Sequence, residues 1–171
     1  MSGSDFSNDP VNDLCLQEVC DSNLSTYLNL AQAYEAEFSP ITKKNPNLTG
    51  LYELDTTIGG EVKAYILQNS ANAIGFAAAS VPEEGTRDLR EFYIVPTMRG
   101  KKIGTYLARQ VFSFYPGKWT VKQLKQATHA TSFWHQALSE LGIPYEETIL
   151  LDEYWGNVVM QTFQIMPQSY P

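Results

Sequence analysis

Residues 89–105 read LREFYIVPTMRGKKIGT, and they contain a change of pattern from which the fold can be predicted. Residues 92–95 are aromatic and β-branched, which predicts a buried strand that ends at Pro96. Beyond the loop, apolar residues recur at helical spacing, at Ile103, Leu107, Val111 and Phe114. We therefore predict a strand, a tight loop and a helix in that order.

The loop combines glycine with positive side chains at the start of the predicted helix. Its members are Arg99, Gly100, Lys101, Lys102 and Gly104. The first amides of a helix have no internal partner and carry the positive end of the macrodipole, and glycine lets an anion approach the backbone. The pattern thus predicts an anion-binding site.

Two common phosphate-binding motifs do not fit this loop. A Walker A motif needs a lysine between its second glycine and the Ser or Thr, whereas Thr105 follows Gly104 directly. A dinucleotide-binding fingerprint needs three glycines, and this loop has two.

The stretch resembles motif A of the GNAT superfamily of N-acetyltransferases, in which a strand runs into Arg/Gln-x-x-Gly-x-Gly/Ala and a helix. Arg99, Lys102, Ile103 and Gly104 occupy those places without a gap. Lys102 departs from the pattern, because the family usually has glycine there, and we expect a lysine with negative φ to offer its amide instead. The resemblance covers roughly residues 22–166. It implies an α/β GNAT fold, with a mixed, mostly antiparallel sheet of about six to seven strands and about three to four helices.

The remaining elements are predicted from periodicity and turn residues. They are a weak strand within Val11–Val19, a helix over Ser22–Phe38 that Asp21 or Ser22 caps and Pro40 ends, a hairpin of Glu61–Gln68 and Ala73–Ser80, a long strand from Thr86, a helix over Lys101–Phe114, a strand over Trp119–Leu124, a helix over Ala127–Leu141, and strands over Tyr145–Leu151 and Asn157–Ile165. Residues 1–12 are predicted to be a flexible leader and residues 13–171 a single domain.

The strand at 119–124 should run parallel to the strand at 89–95, because a strand, helix and strand form a right-handed parallel unit. The resemblance adds that these two strands splay apart and that the pantetheine arm of the coenzyme inserts between them.

The chain has 171 residues and a formal charge of −7, which argues against general nucleic-acid binding. Nine of its twelve basic residues and only two of its nineteen acidic residues lie between positions 87 and 125. An acidic body with one basic zone suits a polyanionic cofactor and a neutral or cationic acceptor. A solvated charged face is the alternative interpretation.

Two cysteines, Cys15 and Cys20, suggest neither a disulfide framework nor a metal site, and no signal peptide or membrane-spanning run is evident. We expect a cytoplasmic protein without a metal or a membrane partner. His129 and His135 are six residues apart, so they form a poor metal pair on a helix.

The resemblance implies a role for each part of the site. Acetyl-CoA would be held by the backbone of Arg99, Gly100, Lys101, Lys102, Ile103, Gly104 and Thr105, with Phe133 and Trp134 beside the pantetheine. The amide of Ile94 or Val95 would polarise the thioester carbonyl. Glu91 is the first candidate base and Asp88 the second. For Glu91 the alternatives are a salt bridge to Arg90 or Arg87, or simple solvent exposure.

Two positions in the helix predicted over Ala127–Leu141 depart from the family pattern. Trp134 stands where a tyrosine commonly protonates the leaving thiolate, and Ala127 stands where an asparagine contacts the coenzyme. Tyr106 or water could supply the proton instead.

Acceptor contacts are predicted at Tyr34, Glu37, Phe38 and Tyr52, with core packing as the alternative for Tyr34 and Phe38. The function predicted is an N-acetyltransferase acting on a primary amine of a small molecule or peptide, as a monomer or homodimer. The alternative is a catalytically weak acyl-CoA-binding regulatory or interaction module, and RNA binding is disfavoured by charge.

Overall fold

The computed structural model describes residues 13–167, and the leader predicted at 1–12 lies outside the described residues. Seven strands and three α-helices follow one another along the chain. In order they are β1 (Cys15–Glu18), α1 (Leu24–Thr42), β2 (Val62–Gln68), β3 (Ala73–Ser80), β4 (Arg87–Ile94), α2 (Ile103–Phe114), β5 (Gly117–Leu124), α3 (Thr128–Glu140), β6 (Tyr145–Asp152) and β7 (Gly156–Ile165). A short 3₁₀ turn over Pro96–Met98 links β4 to the glycine loop.

All seven strands form one sheet in the order β1-β2-β3-β4-β5-β7-β6. The pair β4 and β5 is parallel, and every other neighbouring pair is antiparallel. The predicted mixed, mostly antiparallel α/β sheet is therefore confirmed, with each element within a few residues of its predicted bounds.

Helix α1 runs past Pro40 to Thr42, so the prediction that this proline ends the helix is wrong. Proline removes one backbone donor, which leaves the carbonyl of Ala36 without its usual partner. The hydroxyl of Ser39 donates to that carbonyl at 2.8 Å and replaces the lost hydrogen bond. The helix ends instead at Thr42, and Lys43 caps it with a left-handed φ of 60°.

The start of α1 also differs from the prediction, because neither Asp21 nor Ser22 occupies the cap position. Asn23 does, and its side chain bonds back to the amide of Cys20 and the carbonyl of Glu18 rather than to the helix. The side chain therefore anchors the connection between β1 and α1.

Apolar side chains cover both faces of the sheet. Helices α2 and α3 pack on one face around the fully buried Trp119, Phe112 and Leu107. Helix α1 packs on the other face, where Tyr27 meets Phe76 edge to face. The sheet is thus a central layer between helices.

No helix within residues 13–167 is long and apolar enough to cross a membrane.

Candidate active site

Strands β4 and β5 pair over only three residues. The partners are Arg87 with Trp119, Asp88 with Thr120, and Leu89 with Val121. Each strand then continues for several residues without the other, so the sheet opens between them from Leu89 onward. The predicted parallel pair is confirmed, and a gap lies in the middle of the sheet.

Two cavities meet at this gap. The one we call the Glu91 cavity has a volume of about 320 Å³ and lies between β4, β5 and α1. The other, the loop cavity, has a volume of about 530 Å³ and lies beside the glycine loop and α3. Their walls share Phe38, Phe92, Ala130 and Trp134. The two cavities therefore adjoin each other along this shared wall.

Glu91 is a buried carboxylate in the wall of the first cavity, with 5% of its surface exposed. Burial raises its pKa to about 7, and the charges of Glu35 and Asp55 add to the shift, while hydrogen bonds from Thr56 and Tyr27 oppose it. The Tyr27 hydroxyl lies 3.4 Å from Oε2. Within residues 13–167 Glu91 forms no ion pair. Both alternatives for this residue, a salt bridge and solvent exposure, are therefore wrong.

A β-bulge gives Glu91 this position. In the pairing with β3, Ala78 lies opposite Glu91 and Ala79 lies opposite Leu89, so Arg90 is an extra residue in β4. Leu89 packs with the α2 and α3 cluster, whereas Glu91 reaches Tyr27 of α1 on the opposite face. Residues two apart in a regular strand share a face, so the bulge turns Glu91 toward the cavity.

Asp88, the second candidate base, is engaged elsewhere. The Thr120 hydroxyl donates to its Oδ1 at 2.9 Å, and Lys122 Nζ lies 3.6 Å from the same oxygen. Its carboxylate is thus already paired with a cation, which leaves Glu91 as the carboxyl group available to a ligand.

The glycine loop differs from the prediction at Lys102, which has a φ of 61° rather than a negative φ. Gly100 is also left-handed, with a φ of 74°. Such a backbone is costly for a residue with a side chain, which explains why glycine is common at this place in the resembling motif. The left-handed turn is kept even though the residue is lysine.

The amides that open α2 are available to a ligand. The first hydrogen bond of the helix runs from Tyr106 N to Lys102 O at 3.0 Å. For the amides of Ile103, Gly104 and Thr105 the described part of the chain provides no acceptor, and no side chain caps the helix. Three consecutive donors therefore lie at the positive end of the helix dipole.

Of the predicted coenzyme-binding residues, eight line the loop cavity. They are Ile94, Arg99, Gly100, Lys102, Gly104, Thr105, Phe133 and Trp134. The side chains of Val95, Lys101 and Ile103 do not line it. Ile103 is buried in the core, so it could contribute only its backbone amide.

The two candidate strand amides are not equivalent. The amide of Val95 donates to the carbonyl of Ile74 at 2.9 Å and is already used. Because alternate residues of an antiparallel strand bond to the same neighbour, the amide of Ile94 faces away from β3 toward the gap. Ile94 is thus the candidate that the geometry favours.

Arg99 lies against the end of β4. Its Nε donates to the carbonyl of Ile94 at 2.8 Å, and its Nη2 contacts Glu37 Oε2 at 2.7 Å. The guanidinium also lies 5.6 Å from the ring centre of Tyr93. Glu37, predicted to contact the acceptor, therefore lies in the loop cavity and neutralises this arginine.

Gly104 is required by close packing. A Cβ atom at this position would lie 2.8 Å from Cε2 of Phe133, and the Phe133 ring stacks on Phe92 at 5.4 Å between centroids. The glycine therefore lets α3 approach the start of α2 and brings an aromatic wall to the loop cavity.

Sequence reasoning missed several residues of both cavities. His129 and Glu140 line the loop cavity, and Thr105 donates to Glu140 at 3.1 Å. Hydrogen bonds from Gln136 and Thr105 lower the pKa of Glu140. Glu35, Asp55 and Trp155 line the Glu91 cavity. They come from distant segments, and no local pattern marks them.

Three of the four predicted acceptor residues line a cavity, and one does not. Tyr34 and Phe38 line the Glu91 cavity. Tyr52 lines neither cavity, and its backbone bonds to the side chain of Gln32. Tyr106, the suggested proton donor, lies on α2, packs against the core and lines neither cavity.

Residues 13–167 contain no group of three or more His, Cys, Asp or Glu side chains arranged to hold a metal ion. His135 instead contacts the carboxylate of Glu147 on β6.

The fold resembles those of solved acetyltransferases. The aminoglycoside acetyltransferase AAC(6')-Ib, solved with coenzyme A, matches with a TM-score of 0.63 and 17% identity over 88% of this chain and 94% of its own. The ribosomal-protein-S18-alanine N-acetyltransferase of Escherichia coli matches with a TM-score of 0.62 and 12% identity over 91% of this chain and 96% of its own. A GNAT family acetyltransferase of Elizabethkingia anophelis, solved with acetyl-CoA bound, matches with a TM-score of 0.57 and 11% identity over 90% of this chain and 99% of its own.

The fold is the GNAT fold. At these identities the likeness establishes the architecture alone, and it covers nearly the full length of each relative. No protein-family model matches the sequence, and no curated protein is similar to it in sequence. Within the GNAT fold, the opening between β4 and β5 and the free amides of α2 are the features of this chain that suit an extended ligand with an anionic group.

Proposed function

We propose that this protein is an acetyl-CoA-dependent N-acetyltransferase that acts on a primary amine of a small molecule or peptide. The observation that carries the proposal is the position of Glu91. It is a buried carboxyl group with a pKa of about 7, in a cavity that shares a wall with the loop cavity. Such a group can act as a base at neutral pH. The solved relatives with bound coenzyme A or acetyl-CoA support the choice of co-substrate.

In this proposal the coenzyme binds in the loop cavity. The amides of Ile103, Gly104 and Thr105 hold the pyrophosphate, and the charge of Lys102 adds to the attraction. The pantetheine lies along the gap between β4 and β5, against Phe133 and Trp134. This arrangement places the thioester near Ile94, at the boundary between the two cavities.

The acceptor amine binds in the Glu91 cavity. Glu91 takes a proton from the ammonium, directly or through a water molecule, and the freed nitrogen attacks the thioester carbonyl carbon. The amide of Ile94 donates to the oxygen that becomes negative. A C–N bond forms, the C–S bond breaks, and the thiolate leaves with its electron pair.

The thiolate must be protonated, either as it leaves or after it has left. Trp134 cannot act as an acid, and Tyr106 lies outside both cavities. Since a thiol has a pKa near 8.5, an unassisted thiolate is a tolerable leaving group. The nitrogen carries a positive charge after the attack and must lose one more proton to become an amide, and we assign to water the transfer of that proton to the thiolate.

A second candidate function is an acyl-CoA-binding regulatory or interaction module without efficient catalysis. Trp134 and Ala127 favour it, because these positions lack the tyrosine and asparagine that the resembling family commonly uses. In that case the coenzyme would bind, and no amine would accelerate release of the thiol.

Thiol release from acetyl-CoA with a panel of primary amines tests the proposal. We expect amine-dependent release, a loss of about 10²- to 10⁴-fold in Glu91→Gln, and a smaller loss, of less than about 10-fold, in the isosteric comparison Asp88→Asn. Tight acetyl-CoA binding without amine-dependent release would favour the module instead. Equal losses in the two variants would show that Glu91 is not the base.

A further inference from the structure

Strand β6 forms one edge of the sheet, and within residues 13–167 it pairs with β7 alone. That pairing runs without a bulge over all eight residues, so alternate residues of β6 point their N–H and C=O groups outward. Edge strands are commonly protected by shortness, lysine, proline or a bulge. The opposite edge, β1, is only four residues long, whereas β6 has none of these protections. Its outer edge is therefore open to another strand.

The apolar side chains at the centre of β6 are exposed on both faces of the sheet. Ile149 is 62% exposed, Leu150 is 40% exposed and Leu151 is 80% exposed. Successive residues of a strand point to opposite faces, so Leu150 lies on one face and its two neighbours lie on the other. A helix packed on one face would not cover all three side chains. A strand added beside β6 would pack against both faces at once.

The geometry of an antiparallel ladder restricts how two copies of β6 can pair. A residue whose backbone groups point outward must face a residue of the same kind in the partner strand. Two identical strands are also related by a two-fold axis. The axis must therefore pass beside one residue, which faces its own equivalent, and an axis between two consecutive residues is excluded.

An axis at Leu150 gives a favourable partner to each residue of the segment 148–152. Leu150 faces Leu150 of the partner subunit, and Ile149 faces Leu151 twice. Thr148 faces Asp152 twice, and the threonine hydroxyl can donate to the carboxylate. Apolar pairs and hydrogen-bonded pairs at directly opposite positions stabilise a sheet. The segment is thus complementary to itself in this register.

The neighbouring registers are less favourable. An axis at Ile149 would place Glu146 opposite Asp152, and like charges directly opposite each other are destabilising. An axis at Leu151 would pair only three residues of β6, because the strand ends at Asp152.

Acidic residues also limit the length of the pairing. With the axis at Leu150, the next pair outward would be Glu147 with Glu153, and Glu153 lies in the turn beyond the end of β6. Glu147 already accepts from Gln161 at 2.7 Å. The pairing therefore stops at the five residues from Thr148 to Asp152.

We propose that β6 is the interface of a homodimer, in which two copies pair antiparallel about Leu150 and their sheets join into one continuous sheet. Such an interface is isologous, so it closes after two copies and uses up the open edge. Five paired residues bury less area than a standard interface, so we expect dissociation in the micromolar range. The inference goes beyond the proposed function and does not depend on acetyl transfer.

Sedimentation velocity between about 1 μM and about 1 mM tests the dimer. The wild type should change from monomer to dimer over this range. Leu150→Lys should remain monomeric, because two ammonium groups would face each other at the axis. The control Leu28→Lys adds the same charge at a leucine of α1 that is 39% exposed, and it should dimerise like the wild type. A wild type that stays monomeric, or a dimer that Leu150→Lys does not weaken, would overturn the inference.

Two substitutions of Thr148 test the pairing at an exposed polar position, where neither changes the packing of the core. Thr148→Asp places like charges opposite each other and should weaken the dimer by about 3-fold or more, because each contact occurs twice. Thr148→Lys places a cation opposite Asp152 and should strengthen the dimer by about 3-fold. These variants replace Leu150→Lys if a thermal melt shows that it is misfolded. Effects in the same direction, or no effect of either, would contradict the pairing.

Disulfide trapping tests the register in a background where Cys15 and Cys20 are replaced by serine. On oxidation, Leu150→Cys should form a covalent dimer, since directly opposite residues are close enough for a disulfide. A mixture of Ile149→Cys and Leu151→Cys should link faster than either variant with itself. No covalent dimer of Leu150→Cys, or faster linkage of Ile149→Cys with itself, would overturn the register.

Discussion

Glu91 shows how burial changes the acidity of one side chain and, through it, the stability of the fold. Its carboxyl group is buried against α1, and no cation neutralises it within the described residues. The protonated form is therefore favoured in the folded protein, and the pKa rises from 4.5 to about 7. A base of this kind can exchange its proton near neutral pH, but its charged form destabilises the fold.

The raised pKa predicts a pH-dependent stability difference between the wild type and Glu91→Gln. Below about pH 4.5 the carboxyl group is protonated in both the folded and the unfolded states, and it does not oppose folding. As the pH rises through 7, the wild type loses stability, by up to about 3 kcal/mol, because the unfolded state releases the proton more readily. The glutamine variant does not have this loss.

Urea denaturation at pH 4.5, 6 and 8 measures this effect. We expect Glu91→Gln to gain stability relative to the wild type as the pH increases, whereas Glu146→Gln, at an exposed position on β6, should show no such trend. A difference that is the same at all three pH values would mean that Glu91 has an ordinary pKa.

Lys102 is the second residue whose local conformation has a measurable consequence. Lys102 and Lys43 are the two non-glycine residues with positive φ in the described part of the chain. A left-handed backbone costs a residue with a side chain about 1–2 kcal/mol, and glycine removes most of that cost while adding entropy to the unfolded state.

Replacing either lysine by glycine should therefore stabilise the protein by about 0.5–1 kcal/mol, as judged by denaturant midpoints. Only Lys102→Gly should also change the salt dependence of acetyl-CoA binding, because only Lys102 lines the loop cavity. Destabilisation by Lys102→Gly would indicate that the side chain, rather than the backbone turn, stabilises this loop.

Among the elements, the contact between α2 and α3 shapes the loop cavity. Gly104 lies in the first turn of α2, and the ring of Phe133 from α3 occupies the space where a Cβ atom would be. Phe133 in turn stacks on Phe92 of β4. The position of α3 relative to the glycine loop thus depends on the absence of one methyl group.

Gly104→Ala should destabilise the protein by about 1–2 kcal/mol, although alanine normally favours a helix, because the methyl group displaces Phe133. We also expect acetyl-CoA affinity to fall. In the double variant Gly104→Ala with Phe133→Leu, the shorter side chain should restore part of the stability, which a double-mutant cycle measures. Additive effects of the two changes would contradict a direct contact between them.

At the scale of the whole molecule, the sequence predicts those features that depend only on residues close together in the chain. The change from strand to helical period around Pro96 and the glycine loop indicated the fold, and these features need only neighbouring residues. The Arg90 bulge could not be predicted, since it depends on the register with β3. Nor could Glu35 or Trp155 be placed in the cavity, because tertiary packing brings α1 and the β6–β7 turn to the gap.

At the scale of the whole molecule, we propose above all that acetyl-CoA binds at the start of α2 and along the gap between β4 and β5. An NMR titration of the ¹⁵N-labelled protein with acetyl-CoA tests it directly. We predict saturable chemical-shift changes that are largest at the amides of Ile103, Gly104 and Thr105, together with a change at Ile94. A desulfo-pantetheine fragment that lacks the nucleotide should also produce the change at Ile94. Saturation with acetyl-CoA that leaves these four amides unchanged would contradict the claim.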